Sequence, residues 1–130
     1  MKKTIFSVLA SVMMCMALVA CSGNALNEGL AEANKNMPMQ VAQGLTVTKI
    51  VLENDCVVYK ASVDENIFDI DQMRQTQDEA REGIKNYLMT NSSVQPLLEL
   101  CRKENKGIAY EYIGNQTNKS LLIKFDAGTF

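Results

Sequence analysis

The sequence predicts an α+β fold, with an antiparallel four-stranded sheet in the chain order β-β-α-α-β-β and two helices packed on one face. Two runs of β-branched and aliphatic residues follow residue 44, two segments of helical periodicity come next, and two alternating runs end the chain. Because strands and helices come in blocks, the pattern favours α+β over a parallel α/β sheet. At 130 residues, the chain has room for one domain.

The first two strands are predicted from two short runs joined by a turn. Residues 45–52 read LTVTKIVL and residues 56–63 read CVVYKASV, and both are rich in residues that favour strands. Asn54 and Asp55 lie between them and are typical of hairpin turns, so we expect an antiparallel hairpin. Its second strand carries four side chains on one face, namely Val57, Tyr59, Ala61 and Val63.

Two helices are predicted between the strand pairs. Residues 69–90 place apolar side chains at a spacing of three and four, and Asp69 followed by Gln72 matches a capping box at the start. A second, shorter helix follows up to about residue 105, with Cys101 on its apolar stripe. Both stripes are expected to cover the same face of the sheet.

Two alternating runs predict the last strands. Ile108, Tyr110 and Tyr112 alternate with Ala109 and Glu111. After a turn at residues 114–119, a similar alternation covers residues 121–126. The alternation assigns side chains to faces and leaves the order of the strands open.

The first 20 residues have the composition of an export signal. Lys2 and Lys3 precede an uncharged run over residues 5–20, which as a helix would be about 24 Å long and shorter than the ~30 Å hydrocarbon core of a bilayer. The run is therefore typical of a signal peptide rather than of a permanent span. It ends in Leu18-Val19-Ala20-Cys21.

This ending resembles the lipobox of bacterial lipoproteins, in which a leucine and a small residue precede an obligatory cysteine. The resemblance implies that Cys21 receives a diacylglyceryl group, that the chain is cut before it, and that the new amine is acylated with a fatty acid such as palmitate. Two or more acyl chains anchor a protein stably to a membrane. Ser22 follows the cysteine, which by resemblance to enteric sorting implies the outer membrane. An ordinary secretory signal cut elsewhere is the alternative.

The expected organisation has three parts. Residues 1–20 are the lipoprotein signal peptide, residues 21–40 are the lipidated N-terminus and a flexible tether, and residues 41–130 are the small α+β domain. The tether is predicted from a composition rich in Asn, Ala, Gly and Glu. The domain is expected in the cell envelope, facing the periplasm or the cell exterior.

Composition excludes several classes of function. The net charge is −2 and the basic residues do not cluster, so nucleic acid is not an expected partner. The chain has no histidine, which removes the commonest general base and the commonest transition-metal ligand. Without histidine, neither Cys56 nor Cys101 has the usual activating base of a nucleophile. No cofactor is expected.

Four acidic residues lie close together in the sequence, namely Asp64, Glu65, Asp69 and Asp71. They lack the central glycine and the closing glutamate of an EF-hand loop. Asp69 is expected to cap the following helix, and Asp71 to interact with the positive end of its dipole. We therefore expect no metal site, and a carboxylate-dependent hydrolase is left as an alternative.

Tyr59, Tyr110 and Tyr112 have even strand spacing and admit two interpretations. They either pack in the core or line the face of a ligand groove. Cys56 and Cys101 also admit two interpretations, because a disulfide can persist outside the cytoplasm. However, Cys56 has the opposite parity to Tyr59, which would turn it away from the helices and favours free thiols over a bridge.

The stretch Leu100-Cys101, followed by Gly107-Ile108 and the tyrosines at 110 and 112, is similar to a pattern in small uncharacterised cell-envelope proteins. That resemblance implies no activity. We expect a binding or assembly module rather than an enzyme, held to the membrane by the lipid anchor at Cys21. Its expected partner is another envelope protein, bound through an exposed sheet face or edge strand. A lipoprotein that binds a small molecule or an ion is the alternative.

Overall fold

The computed structural model describes residues 25–130, so the predicted signal peptide and Cys21 lie outside the described residues. Within that range, helices and strands follow one another in the order α1 (Ala25–Asn34), β1 (Met39–Ala42), β2 (Leu45–Glu53), β3 (Cys56–Val63), α2 (Ile70–Gln75), α3 (Gln77–Thr90), α4 (Gln95–Lys103), β4 (Gly107–Gly114) and β5 (Ser120–Phe125). A short 3₁₀ turn, Ser92–Val94, precedes α4. The overall α+β class agrees with the sequence prediction.

The sheet corrects the predicted antiparallel four-stranded arrangement. The described strands form one five-stranded mixed sheet in the order β1-β2-β3-β4-β5, and β3 pairs with β4 in parallel, with Cys56 opposite Gly107 and Val63 opposite Gly114. The other three pairings are antiparallel. The parallel pair is possible because the whole helical segment connects β3 to β4, and such pairs need a long crossover. Side-chain alternation is the same in both orientations, so it could not distinguish them.

The expected domain boundary at residue 41 is corrected, because most of the predicted tether is folded. From Ala25 the chain forms α1, in which Leu26, Leu30 and Ala33 are 1%, 6% and 7% exposed. The side-chain amide of Asn34 donates to the Ile50 carbonyl (2.7 Å) and accepts from the Ile50 amide (2.8 Å), so it continues the hydrogen bonding along the edge of β2. The folded unit therefore includes residues 25–40, which the sequence prediction placed in the tether.

Strand β1 was also missed by the prediction. It has four residues, and its register with β2 shifts between Gln40 and Ala42. A four-residue strand is too short to show a clear alternation of apolar and polar side chains, and the bulge interrupts that alternation further. Gly44, at a φ of 85°, makes the turn into β2, where a Cβ would lie 2.9 Å from the Phe68 ring.

The helical region contains more helices than predicted. The expected helix over residues 69–90 is divided at Thr76, whose φ of −108° and ψ of 15° are not helical, so α2 and α3 replace one continuous helix. Together with α1 and α4, the described residues contain four α-helices rather than the predicted two. The predicted cap is confirmed, because the Asp69 carboxylate accepts from the amides of Asp71 and Gln72.

The hairpin turn is confirmed as well. Asn54 and Asp55 have φ of 51° and 61°, as in a two-residue type I′ turn between Glu53 and Cys56. At the end of α4, Asn105 has a φ of 57° and the Lys106 amide donates to the Cys101 carbonyl at 2.8 Å, which closes the helix. The hairpin turn uses the residues that the sequence predicted for it, and the helix ends where it was expected to end, near residue 105.

All four helices pack on one face of the sheet, which we call the inner face. Its core consists of side chains from β2 to β5 and from the apolar stripes of the helices. The largest fully buried side chains are Tyr59, Tyr110, Tyr112, Phe125, Leu26, Leu45, Ile50, Ile70 and Ile84. Alternate residues of the same strands point to the opposite face.

Candidate binding surface

The face of the sheet opposite the helices carries no described helix, and we call it the open face. No helix residue within the described range joins its small buried cluster, which consists of Cys56, Val58 and Ala109 with Val51 packed against them. By register, the open face is lined by Lys49, Val51, Val58, Lys60, Ala109, Glu111, Ile113, Leu122 and Lys124.

Charged side chains cover the apolar centre of the open face. The Lys60 ammonium lies 3.2 Å from a Glu53 carboxylate oxygen and 3.5 Å from one of Glu111, and its side chain is only 18% exposed. By register, Lys60 and Glu53 lie on opposite sides of the row that holds Val51 and Val58, so their ion pair spans that row. The hydrogen bond to Glu53 is the main cause that raises the pKa of Lys60 above 10.5.

On the β5 side, the open face carries exposed apolar surface beside Lys124. The Leu122 side chain is 53% exposed, and Ile113 on β4 is half-buried diagonally beside it. Leu52 (38%) and Met89 (57%) are the other large exposed hydrophobic residues of the described range. Met89 belongs to α3 in the helical layer, so it serves as a reference residue of similar exposure away from the open face.

The three tyrosines lie on the inner face among the core residues. Tyr59, Tyr110 and Tyr112 are all 0% exposed, and the rings of Tyr59 and Tyr110 stack with centroids 5.0 Å apart. Burial raises the pKa of Tyr110 and Tyr112 well above 10. Within the described residues, the Tyr112 hydroxyl has no hydrogen-bond partner, and a bound water is the usual way to satisfy such a group. The rings therefore contribute to packing, and none is exposed to a ligand in this arrangement.

The two cysteines of the described residues, Cys56 and Cys101, are free thiols that lie in different clusters. Cys56 belongs to the cluster of the open face, whereas Cys101 belongs to the core under the helices. This separation follows the strand parity on which the sequence argument relied. Burial raises the pKa of the Cys101 thiol to about 12, so the native protein holds it in the thiol form.

Glu65 joins the end of β3 to the turn between β4 and β5. Its carboxylate accepts from the amides of Gln116 (2.9 Å) and Thr117 (2.9 Å) and from the Thr117 hydroxyl. These backbone hydrogen bonds lower the pKa of Glu65 below 4.5. A Cβ on Gly114 would lie 2.0 Å from the same carboxylate, so the approach requires glycine at that position.

The other three acidic residues also have protein partners. Asp64 accepts from the Asn66 amide at 2.9 Å, and Asp69 caps α2. Asp71 forms ion pairs with Lys119 (2.7 Å) and Arg74 (3.2 Å), and Lys119 is the main cause that lowers the pKa of Asp71. Across residues 25–130, no three His, Cys, Asp or Glu side chains are grouped so that they could hold a metal ion.

Sequence reasoning missed the interactions that shape the open face. The signal for the Glu53–Lys60–Glu111 network was present, because Lys60 has the opposite parity to Tyr59 and so had to leave the helical side. Its partners depend on the strand order, which the sequence did not reveal.

None of the helices within residues 25–130 is long and apolar enough to span a bilayer.

Comparison with known proteins identifies a structural neighbour. No protein-family model matches the chain, and no curated protein is significantly similar to it. Among solved structures, the fold is similar to that of a candidate secreted protein from Pseudomonas aeruginosa, with a TM-score of 0.64. The match covers 80% of this chain and 88% of that protein at 19% sequence identity. At this identity the similarity shows a shared fold.

Proposed function

We propose that this protein is a lipid-anchored envelope protein that acts by binding another envelope protein through the open face of its sheet. The observation that carries the binding role is the one-sided packing of the fold. Four helices cover one face, while Leu122 and Ile113 form an apolar spot on the other face beside charged residues. Apolar spots with a polar rim are typical of protein-binding surfaces.

The export role is supported by two independent observations. The sequence has a charged start, an uncharged run and the ending Leu18-Val19-Ala20-Cys21, which together match a lipoprotein signal. The solved neighbour that shares the fold is described as a candidate secreted protein. A fold shared with a candidate secreted protein supports an extracytoplasmic location for this chain.

A lipid at Cys21 would hold the domain close to the membrane. Helix α1 begins at Ala25 and Leu26 is already buried, so only three residues of the sequence separate Cys21 from the start of α1. Fully extended, the chain from Cys21 to Ala25 reaches at most about 14 Å. The bound partner is therefore expected to lie at the membrane surface as well.

Replacing the anchoring cysteine tests the first part of the proposal. The Cys21→Ser variant should no longer be lipidated, and it should be found either as uncleaved precursor or as protein that has left the detergent phase of a phase-separation assay, whereas the processed wild type should remain in that phase. Cys56→Ser is the matched control, because it removes a thiol that takes no part in anchoring. Detergent partitioning of Cys21→Ser equal to the wild type, with normal processing, would contradict the anchor.

Charge substitutions on exposed apolar residues test the binding role. Leu122→Arg places a cation on the open face, and Met89→Arg makes the same change at a residue of similar exposure on α3. An envelope protein that copurifies with the tagged, membrane-extracted wild type should be lost from Leu122→Arg and kept by Met89→Arg. Loss only from Met89→Arg would place the binding surface on the helices instead.

A further inference from the structure

Strand β5 is an edge of the sheet, and half of its backbone groups point away from β4. The Gly114 amide donates to the Lys119 carbonyl at 2.8 Å, which sets the hydrogen-bonding phase of this hairpin. Following that phase, Leu121, Ile123 and Phe125 bond to β4. The amides and carbonyls of Ser120, Leu122 and Lys124 therefore point outward. Such a row is a template for strand addition.

Two arginines from the helices occupy this row. Arg74 of α2 donates to the Ser120 carbonyl at 2.6 Å, and Arg81 of α3 donates to the Lys124 carbonyl. Thus two of the three outward carbonyls have side-chain donors, and the Leu122 carbonyl lies between them. Both arginines are held in position by other contacts, Arg74 by Asp71 (3.2 Å) and Arg81 by the Phe125 ring, 4.5 Å from its centroid.

Without the arginines, this edge would complement itself. If two copies paired antiparallel about a two-fold axis at Leu122, then Leu122 would lie opposite the Leu122 of the other copy and Ser120 opposite its Lys124. The central pair is apolar, and no like charges face each other directly. The outward groups of each strand would then meet those of the other in register.

We propose that Arg74 and Arg81 guard β5 against strand addition, and that a second copy of this chain is the partner they exclude. Each guanidinium donates to a backbone carbonyl that an incoming strand would need as its acceptor. Strand pairing therefore requires that both arginine hydrogen bonds break. This inference does not depend on the lipid anchor or on the open face as a binding site. It assigns the two arginines the role of keeping the folded chain monomeric.

The test removes the guanidinium donors while keeping the aliphatic stems that pack on the fold. The Arg74→Met/Arg81→Met variant is compared with the wild type and with Arg102→Met, which removes an arginine near the end of α4. All are purified as residues 21–130 with Cys21→Ser, a range that includes every described residue. Mass in solution is measured by light scattering over a concentration series, and circular dichroism checks that each variant is folded.

The wild type and Arg102→Met should be monomeric, whereas the double variant should form dimers at least about tenfold more tightly than the wild type. Adding Leu122→Glu to the double variant should restore the monomer, because it places two carboxylates opposite each other at the axis. A folded double variant that stays monomeric would overturn the proposal. So would a dimer that survives Leu122→Glu, a series of higher oligomers, or a wild type that already dimerises through β5.

If the double variant fails to fold, the two single variants decide the question. Each single variant leaves one outward carbonyl per chain without its arginine donor. It should therefore self-associate more strongly than the wild type, but more weakly than a chain that lacks both donors. Two folded single variants that are both as monomeric as the wild type would contradict the guarding role.

Discussion

Leu26→Ala tests whether α1 belongs to the folded domain, which the sequence did not predict. The Leu26 side chain is 1% exposed and is among the largest fully buried side chains. The substitution removes three carbon atoms, at about 0.8 kcal/mol each, and leaves a cavity, so we expect a loss of about 3 kcal/mol in the free energy of unfolding. For the 106 residues from 25 to 130, that loss corresponds to a fall in Tm of roughly 13 °C.

Thermal and urea denaturation of the purified chain, followed by circular dichroism, measure this loss. Leu122→Ala is the matched control, because it makes the same chemical change at a side chain that is 53% exposed, and it should change stability by less than about 0.5 kcal/mol. If residues 21–40 were a flexible tether, both variants would melt like the wild type. Equal melting of Leu26→Ala and wild type would therefore refute the placement of α1 in the core.

Three further predictions concern the Glu65 contact and the thiols. Glu65→Gln should lower Tm at pH 7. Because the folded-state pKa of Glu65 is lowered below 4.5, the difference in Tm between the variant and the wild type should narrow as pH falls below 4.5 through that pKa. A difference in Tm that is independent of pH between 7 and 3 would contradict this. Gly114→Ala should destabilise the wild type more than it destabilises a Glu65→Ala background, and equal effects in both would show that the two residues do not interact. Thiol titration of the unfolded, unreduced monomer should find both Cys56 and Cys101 free, and a titration that finds none would show that they are bridged.

Local signals in the sequence predicted the elements that depend on local chemistry. The hairpin at Asn54 and Asp55 and the cap at Asp69 were predictable because turn and cap geometry is set by neighbouring residues. Strands β2 and β3 were predictable because they are rich in residues that favour strands, and β4 and β5 were predictable because apolar residues alternate over most of their length. In all these cases the residues that determine the structure lie within a few positions of one another.

The remaining features depend on contacts between distant segments. The parallel pairing of β3 with β4 joins Cys56 to Gly107 across the whole helical region, and an alternating pattern contains no information about direction. Helix α1 has only three buried apolar side chains, Leu26, Leu30 and Ala33, and its stability comes from packing and from the hydrogen bonds between Asn34 and Ile50. A short amphipathic helix of this kind has the same composition as a polar tether.

The candidate surface was predictable only in part. From the sequence we expected a partner to bind at an exposed sheet face or edge strand, which stays a prediction, and strand parity separated the residues of the two faces. The Arg74 and Arg81 contacts to β5 could not be anticipated, because they join residues 46 and 43 positions apart in sequence. Their existence depends on where α2 and α3 cross the edge of the sheet.

Photocrosslinking in intact cells tests the proposed binding role most directly. A photoreactive amino acid is placed at position 122 on the open face or at position 89 on α3, in the chain with its signal and Cys21 unchanged. We expect a crosslink from position 122 to a single envelope protein, absent at position 89 and lost when Cys21 is replaced by Ser. A crosslink from position 89 alone, or equal crosslinks from both positions, would contradict binding through the open face.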